Sequence, residues 1–146
     1  MLNESRIDIY DYLYNLFYDV VTKNVYTMQE PQELTKSDTE DGFIVINAGN
    51  LNDVSEFRGR TYGLVRCYVE AFIPPISRGR LDYAKYKEFE DSINAVIDSE
   101  MANTEGDYCI QDGSSLSMDA TEISNANNSY FTFIKSFIVI IDKQEQ

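Results

Sequence analysis

Histidine and tryptophan are both missing from the 146 residues, and cysteine occurs only twice. Without histidine there is no His-dependent catalytic triad, no ordinary general base near neutral pH, and no donor for most catalytic zinc sites. Cys67 and Cys109 stand far apart with no CxxC spacing, which reads as two buried thiols in a reducing cytoplasm. Bases are scarce as well: 12 Lys and Arg face 25 Asp and Glu, for a formal charge of −13. That balance opposes a nucleic-acid grip, in which cationic side chains displace counterions from phosphates. No apolar run approaches the roughly 20 residues of a membrane span. The opening MLNESRIDIYDY has neither the basic stretch nor the apolar core of a secretory signal, so none is expected. Phosphate-cradling GxxxxGK and GxGxxG patterns do not occur. The segment DGSS at 112–115 lacks the alternating oxygen ligands and closing Glu of a calcium loop. The expectation is no cofactor, no metal and no catalytic residue; an enzyme would have to work with Asp, Glu, Tyr and Arg alone. Acid clusters such as Glu88, Glu90 and Asp91 read as the solvated side of a helix.

What is present is 43% hydrophobic and 13% aromatic, with 11 Tyr and 8 Phe. One domain of this length buries a real core without staples. Tyrosine in that number suits surfaces partly buried and partly wet, as in subunit contacts, and equally a Tyr-rich core. The stretch TYGLVRCYVEAFI organises the rest. Val65, Cys67, Val69, Ala71 and Ile73 alternate with Leu64, Arg66, Tyr68, Glu70 and Phe72, which predicts a long strand from Thr61 to Ile73. One face is apolar and the other mixed. The mixed face suits contact with another subunit, and equally a sheet face half covered by the protein's own helix.

Taken in order, Ser5 to Thr22 reads as a helix, with Ser5 and Asp8 resembling a capping box. Its apolar set (Ile9, Tyr10, Tyr12, Leu13, Leu16, Phe17, Val20 and Val21) is too wide for one face, so it is sandwiched or touches a second surface. VYTMQE at 25–30 reads as a short strand. Pro31 to Gly42 reads as a polar connection, and FIVIN at 43–47 as a buried strand pairing antiparallel with the long one. NAGNLN at 47–52 is a turn cluster. Pro74 and Pro75 end the long strand, and ISRGR at 76–80 is a flexible basic loop. Asp82 caps a second helix running to about Met101, with Tyr86, Phe89, Ile93, Val96 and Ile97 as its stripe. Tyr108 to Gln111 and Leu116 to Ile123 are strand candidates, with SNANNS at 124–129 as a loop. The final strand, Tyr130 to Asp142, carries Phe131, Phe133, Phe137, Val139 and Ile141 on one face and must be central or covered.

This order predicts an α+β fold: an antiparallel β-sheet of about four to five strands flanked by two α-helices, in one domain spanning 1–146. Charge is segregated. Arg58, Arg60, Arg66, Arg78, Arg80, Lys85 and Lys87 lie in a segment with only Glu70 and Asp82 as acids. A basic middle with acidic flanks can draw copies together head to tail, although chance segregation in an acidic chain gives the same picture.

The helix, the Pro31-to-FIVIN entry, the RTYGLVRCYVEAFI strand, the helix at YAKYKEFEDSINAVI and the closing SYFTFIKSFIVIID together resemble the tail terminator or tail-completion proteins of long-tailed phages. More broadly they resemble small neck proteins of the head–tail interface. The resemblance covers roughly Ile7 to Asp142 in element order and length, with no invariant motif. It implies a homo-oligomeric ring, commonly of six copies, in the virion, assembled in the host cytoplasm. That ring would join the tail tube to the head connector and let genome DNA pass through its lumen without specific binding. Subunit contacts are then expected at Arg58, Arg60, Arg66, Tyr68, Glu70, Phe72, Arg78, Arg80, Tyr12 and Leu16. The alternatives are a stopper or adaptor ring, a stand-alone protein-binding module, or a His-free carboxylate enzyme.

Overall fold

Two fourteen-residue strands form the axis of the molecule, Arg60–Ile73 and Asn128–Ile141, here β4 and β8. The computed structural model describes residues 6–49, 52–57, 60–103, 106–112, 116–117, 122–125 and 128–141. β4 and β8 run antiparallel with an unbroken register from Gly63 opposite Ile141 to Ile73 opposite Phe131. Val65, Cys67, Val69, Ala71 and Ile73 of β4 and Phe133, Phe137, Val139 and Ile141 of β8 recur at every second position or multiples of it, so pairing the strands puts these side chains on one face.

On the far side of β4 lie β2 (Phe43–Ala48) and β3 (Asn52–Phe57), which pair with successive parts of it. Beyond β2 comes the short edge strand β1 (Val25–Thr27), parallel to it. On the far side of β8, three short strands succeed one another: β5 (Tyr108–Asp112), β6 (Leu116–Ser117) and β7 (Glu122–Asn125). The sheet is thus mixed and mostly antiparallel, in the order β1-β2-β4-β8-β5, within an α+β fold. The last long strand is central, as its apolar face demanded.

Helices α1 (Arg6–Phe17) and α3 (Tyr83–Met101) both pack on the same face of the sheet. Ile9, Leu13 and Phe17 from α1 and Phe89, Ile93 and Ile97 from α3 meet Val65, Cys67, Val69, Ala71 and Ile73 of β4. Phe133, Phe137, Val139 and Ile141 of β8 complete that layer. The two helices therefore lie together on one face of the sheet. α3 starts where expected, with the Asp82 carboxylate accepting from Lys85 N at 3.1 Å. Tyr12 joins the helices: its hydroxyl donates to Glu100 at 2.8 Å and its ring stacks on Tyr108.

The segment Pro31 to Gly42, expected as a plain connection, contains a third helix, α2 (Lys36–Asp41). Thr35 and Asp38 form its capping box. Asp38 N donates to Thr35 Oγ1 at 3.1 Å and Thr35 N donates to Asp38 Oδ2 at 2.9 Å. The box expected at Ser5 involves a residue outside the described ones. NAGNLN is likewise less of a turn than expected, since β2 runs through Ala48 and β3 begins at Asn52. ISRGR closes on itself as a 3-10 turn at Ser77–Gly79, with Ile76 N donating to Arg80 O.

Candidate assembly surface

The second face of the sheet divides into a covered end and an open centre. At the covered end Phe43 and Phe72 stack with ring centroids 4.4 Å apart, and Tyr130 meets both edge-on. Tyr26 and Leu34 pack over this cluster. α2 is clasped to it through Asp38, which is fully buried. Tyr26 donates its hydroxyl to both Asp38 carboxylate oxygens at 2.8 Å, and Tyr130 donates to the Asp38 carbonyl at 3.3 Å. Gly42 ends α2 at φ 84°, and a Cβ there would lie 2.5 Å from the Phe72 carbonyl oxygen. Only glycine fits such a close backbone approach.

Phe72 was expected at a subunit contact, and the structure corrects this. It is 1% exposed and serves as one of the largest buried rings. Alternation places it on the mixed face, but α2, too short to show a helical period, covers that end.

The open centre holds the other residues of the mixed face. By register, Asn47, Tyr68 and Ser136 form one row across β2, β4 and β8. Arg66 pairs with Ile138, Glu70 with Ile134, and Leu64 with Ile140. Among the described residues, no helix packs on this area. Arg66 is exposed, Tyr68 is 40% exposed, Leu64, Glu70, Ile134, Ile138 and Ile140 are half-buried, and the small Ser136 between them is buried. Burial pushes the Glu70 carboxyl above its ordinary value, and the nearby charge of Glu30 adds to that. Arg66, Tyr68 and Glu70 are thus brought together as expected.

The remaining expected contact residues scatter. Arg78 and Arg80 are exposed on the 3-10 turn, where the Arg80 Nε donates to Ser77 O. Arg60 opens β4, and Arg58 lies outside the described residues. Tyr12 is half-buried against α3 and β5, so its stripe position reflects the chain's own packing. Leu16 borders a groove of about 420 Å³ between α1 and α3, lined also by Val20, Ala95 and Val96. A smaller groove of about 290 Å³ lies between α1 and the edge strand β1, with Ile7 and Met28 exposed along it.

The acid cluster of α3 also departs from expectation. Glu90, expected on the solvated side, has a buried Oε2, as Asn94 one turn on has a buried Oδ1, and neither atom accepts a hydrogen bond among the described residues. Helical spacing could have shown this, since both positions adjoin the buried Ile93. Cys67 is fully buried and desolvation pushes its thiol up to about 12, whereas Cys109 is half-exposed rather than buried.

Among the described residues no group of His, Cys, Asp and Glu is placed to hold a metal ion, and no helix is long and apolar enough to cross a membrane. No protein-family model and no curated protein matches the chain.

Proposed function

We propose that this chain is a structural assembly protein of the phage head–tail interface. Its copies form a ring that terminates or completes the tail tube and meets the head connector. The single observation that carries the assembly reading is the open centre of the sheet. Leu64, Ile134, Ile138 and Ile140 surround the exposed Tyr68 and Arg66 there, and no described helix lies over them. A patch of aliphatic side chains around an aromatic and an arginine has the composition of a protein–protein contact. The resemblance in element order supplies the neck assignment, and the α+β fold with its long central pair is compatible with it.

The role is structural rather than catalytic in this reading. Asp38, a fully buried carboxylate, is taken up by the α2 cap and Tyr26. An excess of 13 negative charges would let a ring lumen repel DNA phosphates and keep the genome mobile as it passes. Native mass spectrometry and electron microscopy of the purified chain test the proposal. Discrete rings of six or more copies are expected. A monomer at high micromolar concentration in low salt would overturn it.

A second reading, a stand-alone protein-binding module, is favoured by the groove beside β1. That strand's outer edge is unpaired among the described residues, and Ile7 and Met28 stand exposed next to it. Such an edge can accept an extended peptide as an added strand.

A further inference from the structure

The open centre of the sheet has an internal symmetry. On β4, Arg66 and Glu70 lie two residues to either side of Tyr68 and share its face. On β8, Ile138 and Ile134 lie two residues to either side of Ser136, which pairs with Tyr68. Turned end for end about the Tyr68–Ser136 row, Ile134 and Ile138 exchange places, and so do the two charges. We propose that this face binds a second copy of the chain, sheet to sheet, about a two-fold axis running across the strands through Tyr68 and Ser136. Each Arg66 then meets the Glu70 of the other copy, Ile134 meets Ile138, and the two Tyr68 rings meet at the axis.

Charge selects this arrangement over its alternatives. A two-fold along β4 would set Arg66 on Arg66 and Glu70 on Glu70, and one between β4 and β8 would set both charges on isoleucines; like charges, or an unpaired charge on an aliphatic side chain, are unfavourable across an interface. The cross-strand axis removes both clashes and makes two ion pairs. Stacked sheets lie about 10 Å apart, a gap that an arginine and a glutamate extending from opposite sides can bridge.

Among the described residues neither group has a charged partner. Arg66 and Glu70 form no ion pair with each other or with any described residue. Glu70 is nevertheless half-buried, and desolvation already disfavours its charge, with Glu30 adding to the negative side. A guanidinium arriving from a partner relieves both effects.

This contact rests on the assembly reading but is separable from it. A two-fold face joins copies in pairs and cannot close a ring, so a ring must close through other surfaces. Sedimentation velocity on the unchanged chain and its charge variants provides the test, with circular dichroism to check folding. Arg66→Glu alone presents two acids and Glu70→Arg alone two bases. Each should weaken pairing by about tenfold or more. Mixing the two variants should restore pairing as a heterodimer, and the double swap R66E/E70R should restore it within one chain.

Pairing of either single variant as tight as that of the unchanged chain overturns the proposal. So does a mixture that stays dissociated while both variants are folded. Rings of six whose assembly ignores all these changes would overturn the two-fold contact and leave the ring reading standing. Pairs that obey the swap but never grow larger would sustain the contact and remove the ring.

Discussion

Gly42 shows how narrowly a single position is constrained. It turns the chain from α2 into β2 at positive φ, with the Phe72 carbonyl where a Cβ would go. Gly42→Ala should cost about 2 kcal/mol or more, from the left-handed backbone together with the clash, read as a shift in urea midpoint. Glu70 is the opposite case, a residue that weakens its own fold. Its folded carboxyl titrates above the unfolded one, so the chain is favoured while Glu70 is protonated. That advantage is complete below the unfolded value and is lost as pH rises through the raised folded one. Glu70→Gln should therefore flatten the fall in stability over that pH range. It should make the isolated chain more stable at neutral pH, measured by denaturant titration from pH 4 to 8. The same change removes the proposed partner of Arg66, so monomer stability and self-association should move in opposite directions.

At the scale of elements, α2 is the piece whose stability rests on polar contacts. Six residues make a marginal helix, and this one is held by its capping box and by Tyr26 on the Asp38 carboxylate. Asp38→Ala should cost about 2 kcal/mol, combining a lost cap with a lost charged acceptor. Hydrogen exchange should show loosening at 35–42 while α1 and α3 keep their protection. Burial and the Asp38 bond push the Tyr26 phenol up to about 12. Its contribution should persist below about 10, the ordinary tyrosine value, and fade as pH climbs through 12. The elements most legible from sequence were those with long periods. β4, β8 and α3 fall within a residue or two of expectation, because alternation or a helical stripe ran for three turns or more. α2 was hidden because a six-residue helix has too short a period to read, and its only signal was the TxxD spacing of Thr35 and Asp38. That omission explains the misplacement of Phe72, since nothing else marked one end of the mixed face as covered. The open centre was legible in Arg66, Tyr68 and Glu70. Its symmetry was not, because the partners Ile134, Ser136 and Ile138 come from a strand whose register no local pattern reveals.

For the molecule as a whole, the layer between helices and sheet should open as one unit. Cys67 sits in that layer at 0% exposure with a thiol held in its unreactive protonated form, whereas Cys109 is half-exposed on β5. A thiol reagent should label Cys109 readily in the native state. Cys67 should react only when the chain opens, so its labelling rate should track global unfolding as denaturant rises. Labelling of Cys67 as fast as Cys109 in native buffer would show that the helical layer opens separately from the sheet.

The unbroken β4–β8 ladder also has a consequence in time. Ile73 and Phe131 are neighbours in the sheet yet nearly sixty residues apart along the chain. During synthesis, β4 leaves the ribosome long before the strand that will cover its flank. Until then the two sides of its backbone have β2 and β3 on one and nothing on the other. A topology whose central rung closes last folds slowly, and the nascent chain presents a sticky strand throughout that delay, when chaperone capture or premature aggregation competes with completion.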